Sequence, residues 1–253
     1  MAGEQLLEVR NLAMRWPATG VDVLRDVSLS VRAGEFAVIL GANGSGKSTL
    51  LRCIVRLLRP DSGTVGVAGH DLTRLSGGAL QRARRSVAMV SQHANLVKRR
   101  SVLSNVAGGA LGRCDDLRTK LGALPRHELP AAYRHLQTVG LTALAAQRAS
   151  TLSGGQAQRV AIARALAQEP RVLLADEPVA SLDPEAAETV LALLRRLARE
   201  RELAVLAVLH QPELALRYAD RVLGLRSGTV AFDLPAPRVP MELVTSLYGE
   251  VAA

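Results

Sequence analysis

The stretch Gly41-Ala42-Asn43-Gly44-Ser45-Gly46-Lys47-Ser48-Thr49 sets glycines, a lysine and two hydroxyls at the spacing of a phosphate-binding loop. Glycines let successive backbone amides converge on one anion, and the dipole of a following helix adds to their pull. Lys47 can reach β- and γ-phosphates, and the Ser48 hydroxyl can take a place on Mg²⁺. The competing reading is a glycine-rich turn with an incidental lysine. The apolar run before the loop and the helical pattern after it favour the phosphate reading, which requires both. The chain is therefore expected to bind a nucleoside triphosphate.

Asp176 and Glu177 close the apolar run Val172-Leu173-Leu174-Ala175. A strand ending in two carboxylates delivers them to the carboxyl edge of a sheet, where ligands bind in open α/β folds. Asp176 is placed to hold the magnesium shell. Glu177 is the natural general base for a water attacking the γ-phosphate, a role worth about 10²–10⁴ in rate. Taken alone, the pair also reads as a helix N-cap with an acidic first turn beside Pro178. In company with the phosphate loop, the catalytic reading is preferred.

Leu152-Ser153-Gly154-Gly155-Gln156 opens a helical pattern over residues 156–168. It is a second glycine-rich helix start, with amides and a serine hydroxyl free to meet an anion. One triphosphate does not need two cradles in one chain. The simplest resolution is a two-fold dimer in which each copy's second cradle closes over its partner's nucleotide. An ordinary N-capped helix explains Ser153 but not the Gly154-Gly155 pair. The near-copy Leu75-Ser76-Gly77-Gly78-Ala79 lacks the final glutamine and precedes Arg82, Arg84 and Arg85, and reads as a turn.

The elements needed to position these groups are visible in the apolar periodicity. Residues 6–33 alternate apolar and polar positions, as half-buried antiparallel strands do. Residues 36–40, 87–90, 172–175 and 203–209 are continuous apolar runs, the mark of strands covered on both faces. Helical patterns follow over 48–58, about 93–147, 156–168 and 184–199, the last carrying Val190, Leu194 and Leu197 on one face. Buried strands alternating with helices argue for a parallel sheet wrapped by helices. Pro235, Pro237 and Pro240 mark a linker before a short final helix.

Composition bounds the partners. With 48% hydrophobic and 22% charged residues over 253 positions, the chain has the balance of a globular protein. Its longest apolar run is far short of the roughly 20 residues that span a bilayer, and its start lacks the cationic and apolar regions of a secretory leader. Cys53 and Cys114 are too few for a disulfide framework or a zinc site. The net charge of +9 suits an anionic partner or an arginine-rich solvated surface. The basic clusters are scattered and free of aromatics, so the solvated surface is preferred, membrane proximity second and nucleic acid third.

The three motifs in this order resemble the ATP-binding subunit of an ABC transporter, along nearly the whole chain. The resemblance implies an α/β P-loop NTPase with a mainly parallel core sheet, an N-terminal antiparallel β subdomain and an inserted α-helical subdomain. On that pattern residues 1–253 form one ATPase domain, the helical subdomain spanning about 93–160 and a C-terminal linker and helix about 235–253. Gln92 then contacts magnesium and the attacking water and senses the membrane partner. Ser181-Leu182-Asp183 crosses the dimer, His210 contacts the γ-phosphate, and Trp16 stacks on adenine for about 1–3 kcal/mol. Without that company His210 reads as a strand-end cap and Trp16 as core packing. The implied ligands are ATP and Mg²⁺, the latter on Ser48, Gln92 and Asp176.

Finer features, Asn95-Leu96-Val97-Lys98-Arg99, Ala175-Asp176-Glu177-Pro178-Val179-Ala180-Ser181, Leu209-His210-Gln211, Tyr218-Ala219-Asp220-Arg221 and Leu247-Tyr248-Gly249, resemble the phosphonate-importer ATPases. Ser91 and Ala94 depart from that group, which commonly has phenylalanines there, and Ala157 replaces a frequent glutamine. The resemblance implies a second copy and integral membrane permease subunits as partners, an extracytoplasmic solute-binding protein indirectly, and no nucleic acid. It implies a place at the cytoplasmic face of the cell membrane. The alternatives are a transporter for another solute, or a related ATP clamp acting on nucleic acid.

Overall fold

In the computed structural model, which describes residues 3–16, 18–114 and 126–248, the two kinds of apolar pattern become two kinds of sheet. The alternating segments form β1 (Gln5–Arg15) and β2 (Asp22–Arg32), paired antiparallel. With β4 (Ser62–Val67) and β5 (His70–Asp71) they make a four-stranded sheet of order β2-β1-β4-β5. The continuous apolar runs form β3 (Phe36–Leu40), β6 (Val87–Val90), β7 (Val172–Asp176) and β8 (Ala204–Val208). Joined by β9 (Arg221–Arg226) and β10 (Thr229–Pro235), they give a second sheet of order β10-β9-β3-β8-β7-β6. All its pairings are parallel except the β9–β10 hairpin.

The unbroken apolar runs are explained by what lies on each face of that sheet. Phe36, Val38, Leu40, Leu173, Ala175, Val205 and Ala207 point into one core, shared with the helices. Their neighbours Ala37, Ile39, Val172, Leu174, Leu206 and Val208 point into a second core, shared with the antiparallel sheet. A strand buried on both faces has no position for a polar side chain.

Helices close the layers: α1 (Lys47–Ile54), α2 (Gly77–Ala83), α3 (Val102–Ala107), α4 (Leu129–Thr138), α5 (Gly154–Leu166), α6 (Pro184–Arg201), α7 (Pro212–Tyr218) and α8 (Met241–Ser246). The helix expected over 48–58 stops at Ile54. Arg56 turns left-handed at φ 57°, and Arg84 donates to the carbonyls of Val55 and Arg56 that a longer helix would use. The helical pattern of 93–147 is likewise broken: 93–100 is irregular, and α3 and α4 are short. Residues 115–125 of that stretch, with Gly249 and the end of the expected C-terminal segment, lie outside the described residues. The stretch after Pro235 is docked on the body, since Ala236, Val244 and Leu247 are buried in the helix-side core.

Sheet order is what matters for function. β8 lies between β3 and β7, with Val208 in register with both Ile39 and Asp176. Val90 of β6 is in register with Ala175. Four neighbouring strands thus end at one level, and the expected functional residues follow their last positions.

Candidate active site

The loop leaving β3 is shaped by glycine at a defined place. Gly46 holds φ 104°, and a Cβ there would stand 2.8 Å from the Val23 carbonyl. It caps α1 and lets the helix start close under β2. Lys47, the first residue of α1, is 5% exposed and turns back into its own loop, donating to the carbonyls of Gly41 and Ala42 at 2.8 Å each. Burial lowers its pKa, partly opposed by the charges of Glu177 and Asp176. Ser45 carries a buried hydroxyl with no partner among the described residues.

One strand over, Asp176 closes β7. Its carboxylate accepts from the Ser48 hydroxyl at 2.9 Å. Burial raises its pKa, an effect the Ser48 bond works against. Glu177 is left-handed at φ 51°, a conformation that costs a non-glycine residue about 1–3 kcal/mol and clusters at functional sites. The turn separates the two carboxylates. Asp176 faces Ser48, and Glu177 Oε1 instead meets His210 Nε2 at 2.6 Å. His210 follows β8, the strand between.

Trp16 ends β1's side of the arrangement. With Val23, Asn43, Gly44, Gly46, Lys47, Ser48, Thr49 and Glu177 it lines one cavity of about 240 Å³. Val23 is a wall that sequence reasoning missed, since it looks like any alternating strand residue. Gln92, two residues beyond β6, is exposed and is not among the residues lining this cavity.

The second cradle stands apart from it. Ser153 caps α5, its Oγ accepting from the Gln156 amide at 3.3 Å while Gln156 Oε1 accepts from the Ser153 amide at 3.0 Å. The serine oxygen expected to be free is therefore engaged in a capping box. The amides of Gly154 and Gly155 remain without a partner among the described residues, and Gly154 is exposed. Asp183 is the N-cap of α6, accepting from the Ala186 amide at 2.9 Å. Leu182 beside it packs where a Gly154 Cβ would come within 3.2 Å. The near-copy at Ser76 makes no side-chain cap at all, and its Gly77 is left-handed.

Elsewhere, a cavity of about 430 Å³ on the antiparallel sheet is lined by Glu8, Arg10, Asp71 and Arg74, charges that pair with one another. Cys114, His127 and Glu128 also gather within 4.8 Å, a grouping their spacing did not suggest; Glu128 there is bonded to Arg113 at 2.5 Å.

The residues around the loop fit a metal-bound triphosphate. A buried hydroxyl lacks a partner, an ammonium is turned onto main-chain carbonyls, and a half-buried carboxylate is held above its usual range. Phosphate oxygens would answer the first two deficits, and a hard divalent cation held by Ser48 and Asp176 would answer the third.

Comparison with known proteins agrees in kind. The family described as ABC transporter matches residues 24–180. The phosphonates import ATP-binding protein PhnC of Frankia casuarinae is 53% identical over 213 residues, covering 84% of each chain. PhnC 3 of Halalkalibacterium halodurans is 43% identical over 244 residues, 96% of this chain and 94% of its own. Among solved structures, the ADP conformation of MJ1267, an ATP-binding cassette of an ABC transporter, superposes with a TM-score of 0.85 at 26% identity, covering 97% of this chain and 99% of that one. The dimeric post-hydrolysis state of the cassette MJ0796, bound to ADP and Pi, gives 0.78 at 31% identity over 91% and 99%.

Proposed function

This chain belongs to the ABC transporter family, and from that premise we propose that it is the ATP-binding and hydrolysing subunit of an ABC importer for phosphonate or a related phosphorus oxyanion. The observation that carries the mechanism is the split between two half-sites. Lys47 and Glu177 line one cavity, with Asp176 bonded to Ser48 and His210 bonded to Glu177, while Gly154 and Gly155 lie outside its lining.

The adenine stacks on Trp16, and the phosphates lie along the loop amides. Lys47 exchanges the Gly41 and Ala42 carbonyls for phosphate oxygens. Ser48, Asp176 and Gln92 would hold Mg²⁺, whose charge would offset that building on the β- and γ-phosphates. Glu177 accepts a proton from the attacking water, and His210 keeps its carboxylate oriented through their shared hydrogen bond. A second copy brings its Ser153-Gly154-Gly155-Gln156 helix start and its Asp183 turn over the γ-phosphate. A helix N-terminus suits that charge. Closure on ATP and reopening after hydrolysis drive separate permease subunits.

No helix among the described residues is long and apolar enough to cross a membrane. In this reading the chain sits at the cytoplasmic face through the permease, and a solute-binding protein delivers cargo from outside. The closeness to proteins named for phosphonate import supports that cargo.

Reconstitution with the permease subunits of a phosphonate importer tests the whole reading. ATP-dependent uptake of a phosphonate is expected, abolished by Gly154→Asp without loss of ATP binding. Turnover by a lone protomer, indifferent to Gly154→Asp, would overturn the clamp. Uptake of an unrelated solute with phosphonate refused would overturn the cargo alone.

A further inference from the structure

Gln92 is fixed from outside the sheet that leads to it. Its side chain is exposed, and the segment around it is irregular. The main chain on both sides is nonetheless held, in each case by a side chain of α5. Gln158, 2% exposed, donates from Nε2 to the Ser91 carbonyl at 3.1 Å. Arg164 reaches past it with both terminal nitrogens, Nη2 to the Ala94 carbonyl at 2.8 Å and Nη1 to the Asn95 carbonyl at 2.7 Å. Gln92 lies between these anchors. Burial lowers the pKa of Arg164, so the guanidinium has given up water, and the two carbonyls replace it.

The rest of the segment is held by other routes. Buried Asn105 staples the next turn, with Nδ2 donating to Val97 and Ser101 and Oδ1 accepting from the Val97 amide. The short 3₁₀ turn leading into α5, Ala149–Thr151, donates from Ala149 to the Arg100 carbonyl at 3.0 Å and from Ser150 to the Lys98 carbonyl at 3.1 Å. Gly109 lies against the helix so closely that a Cβ would stand 1.9 Å from the Arg164 carbonyl. Residues 91–101 and α5 are therefore one mechanical unit. Its two ends are the open amides of Gly154 and the side chain of Gln92.

We propose that Gln158 and Arg164 are positioning residues that set Gln92 for hydrolysis by fixing the main chain on either side of it. The proposal rests on the reading above in one respect, that Gln92 serves the reacting phosphate.

The test is a double-mutant cycle in the full chain. Arg164→Lys keeps the charge but loses the two-carbonyl grip, and Gln158→Met keeps length while losing the donor; the second variant carries the test if the first misfolds. Each is made alone and with Gln92→Ala, and kcat, KM for ATP and Tm are measured. A misplaced group costs rate far more than binding, so kcat is expected to fall about tenfold with KM changed less than about twofold. In the Gln92→Ala background the same substitutions should cost no further rate, although their effect on Tm persists. An equal loss in both backgrounds overturns the proposal and leaves the reading of Gln92 standing. A fully active Gln92→Ala chain overturns that reading first, and the proposal with it.

Discussion

Glu177 and His210 are joined by a 2.6 Å hydrogen bond across the ends of adjacent strands β7 and β8. The bond aims a carboxylate that the left-handed backbone at Glu177 has already turned away from Asp176. Glu177→Gln keeps a partner for His210 and removes the proton acceptor. ATP binding is expected to persist, turnover to fall about 10²–10⁴-fold, and a nucleotide-bound dimer to accumulate on size-exclusion chromatography. Ordinary steady-state turnover by this variant would remove Glu177 from its role.

Lys47 is held by two carbonyls of its own loop at the expense of its hydration. Its stake is in the ligand, not in the fold. Lys47→Met should leave the Tm of the nucleotide-free chain unchanged or slightly raised. It should also erase the stabilisation that ATP gives, about 2.7 kcal/mol at a hundredfold excess over Kd for an intact site. A large drop in Tm without nucleotide would show that the lysine serves the fold.

Trp16 is the chain's single tryptophan, so its fluorescence reports one place. Its ring packs partly on the antiparallel-sheet core and partly lines the loop cavity. Nucleotide binding should change the emission, and an adenine-free polyphosphate should not. Trp16→Ala should weaken ATP binding by about 1–3 kcal/mol, the worth of one stacked base. Equal responses to ATP and tripolyphosphate would return Trp16 to core packing.

The chemistry-bearing positions were legible because their types and their flanking runs are local. Gly41 to Thr49 needs only a strand before and a helix after, and Asp176 needs only the end of an apolar run. What convergence requires is not local. The order β3-β8-β7-β6, which brings the residues after four separate runs to one edge, depends on pairings between segments far apart in the chain, such as Phe36 with Val205 and Val87 with Val172. The Ser153 hydroxyl was misjudged because Gln156, read as part of the anion cradle, is also the N3 residue of a capping box. Gln158 and Arg164 were passed over inside an apolar helix. Their polar side chains among buried apolar neighbours were the available signal, but their targets are main-chain carbonyls some 70 residues upstream. No side-chain pattern announces those.

His135 on α4 supplies a prediction about acid stability. It is 8% exposed, its Nδ1 has no partner among the described residues, and its pKa is pushed down to about 4. Burial is the main cause. The charges of Arg201, Arg113 and Arg134 act in the same direction, against Glu169. The unfolded chain takes a proton near pH 6.5 that the folded chain refuses until about 4. Stability from this group is thus complete above pH 6.5 and falls as pH drops through that window, by about 1.4 kcal/mol per pH unit at most. His135→Leu removes the titration and the unpaired nitrogen while keeping an apolar volume for the site. Urea unfolding of the two proteins side by side cancels every other titrating group. The variant should gain on the wild type by about 2 kcal/mol between pH 7 and pH 5. Parallel pH curves would mean that His135 takes up its proton in the folded chain as readily as in the unfolded one, against what its burial implies.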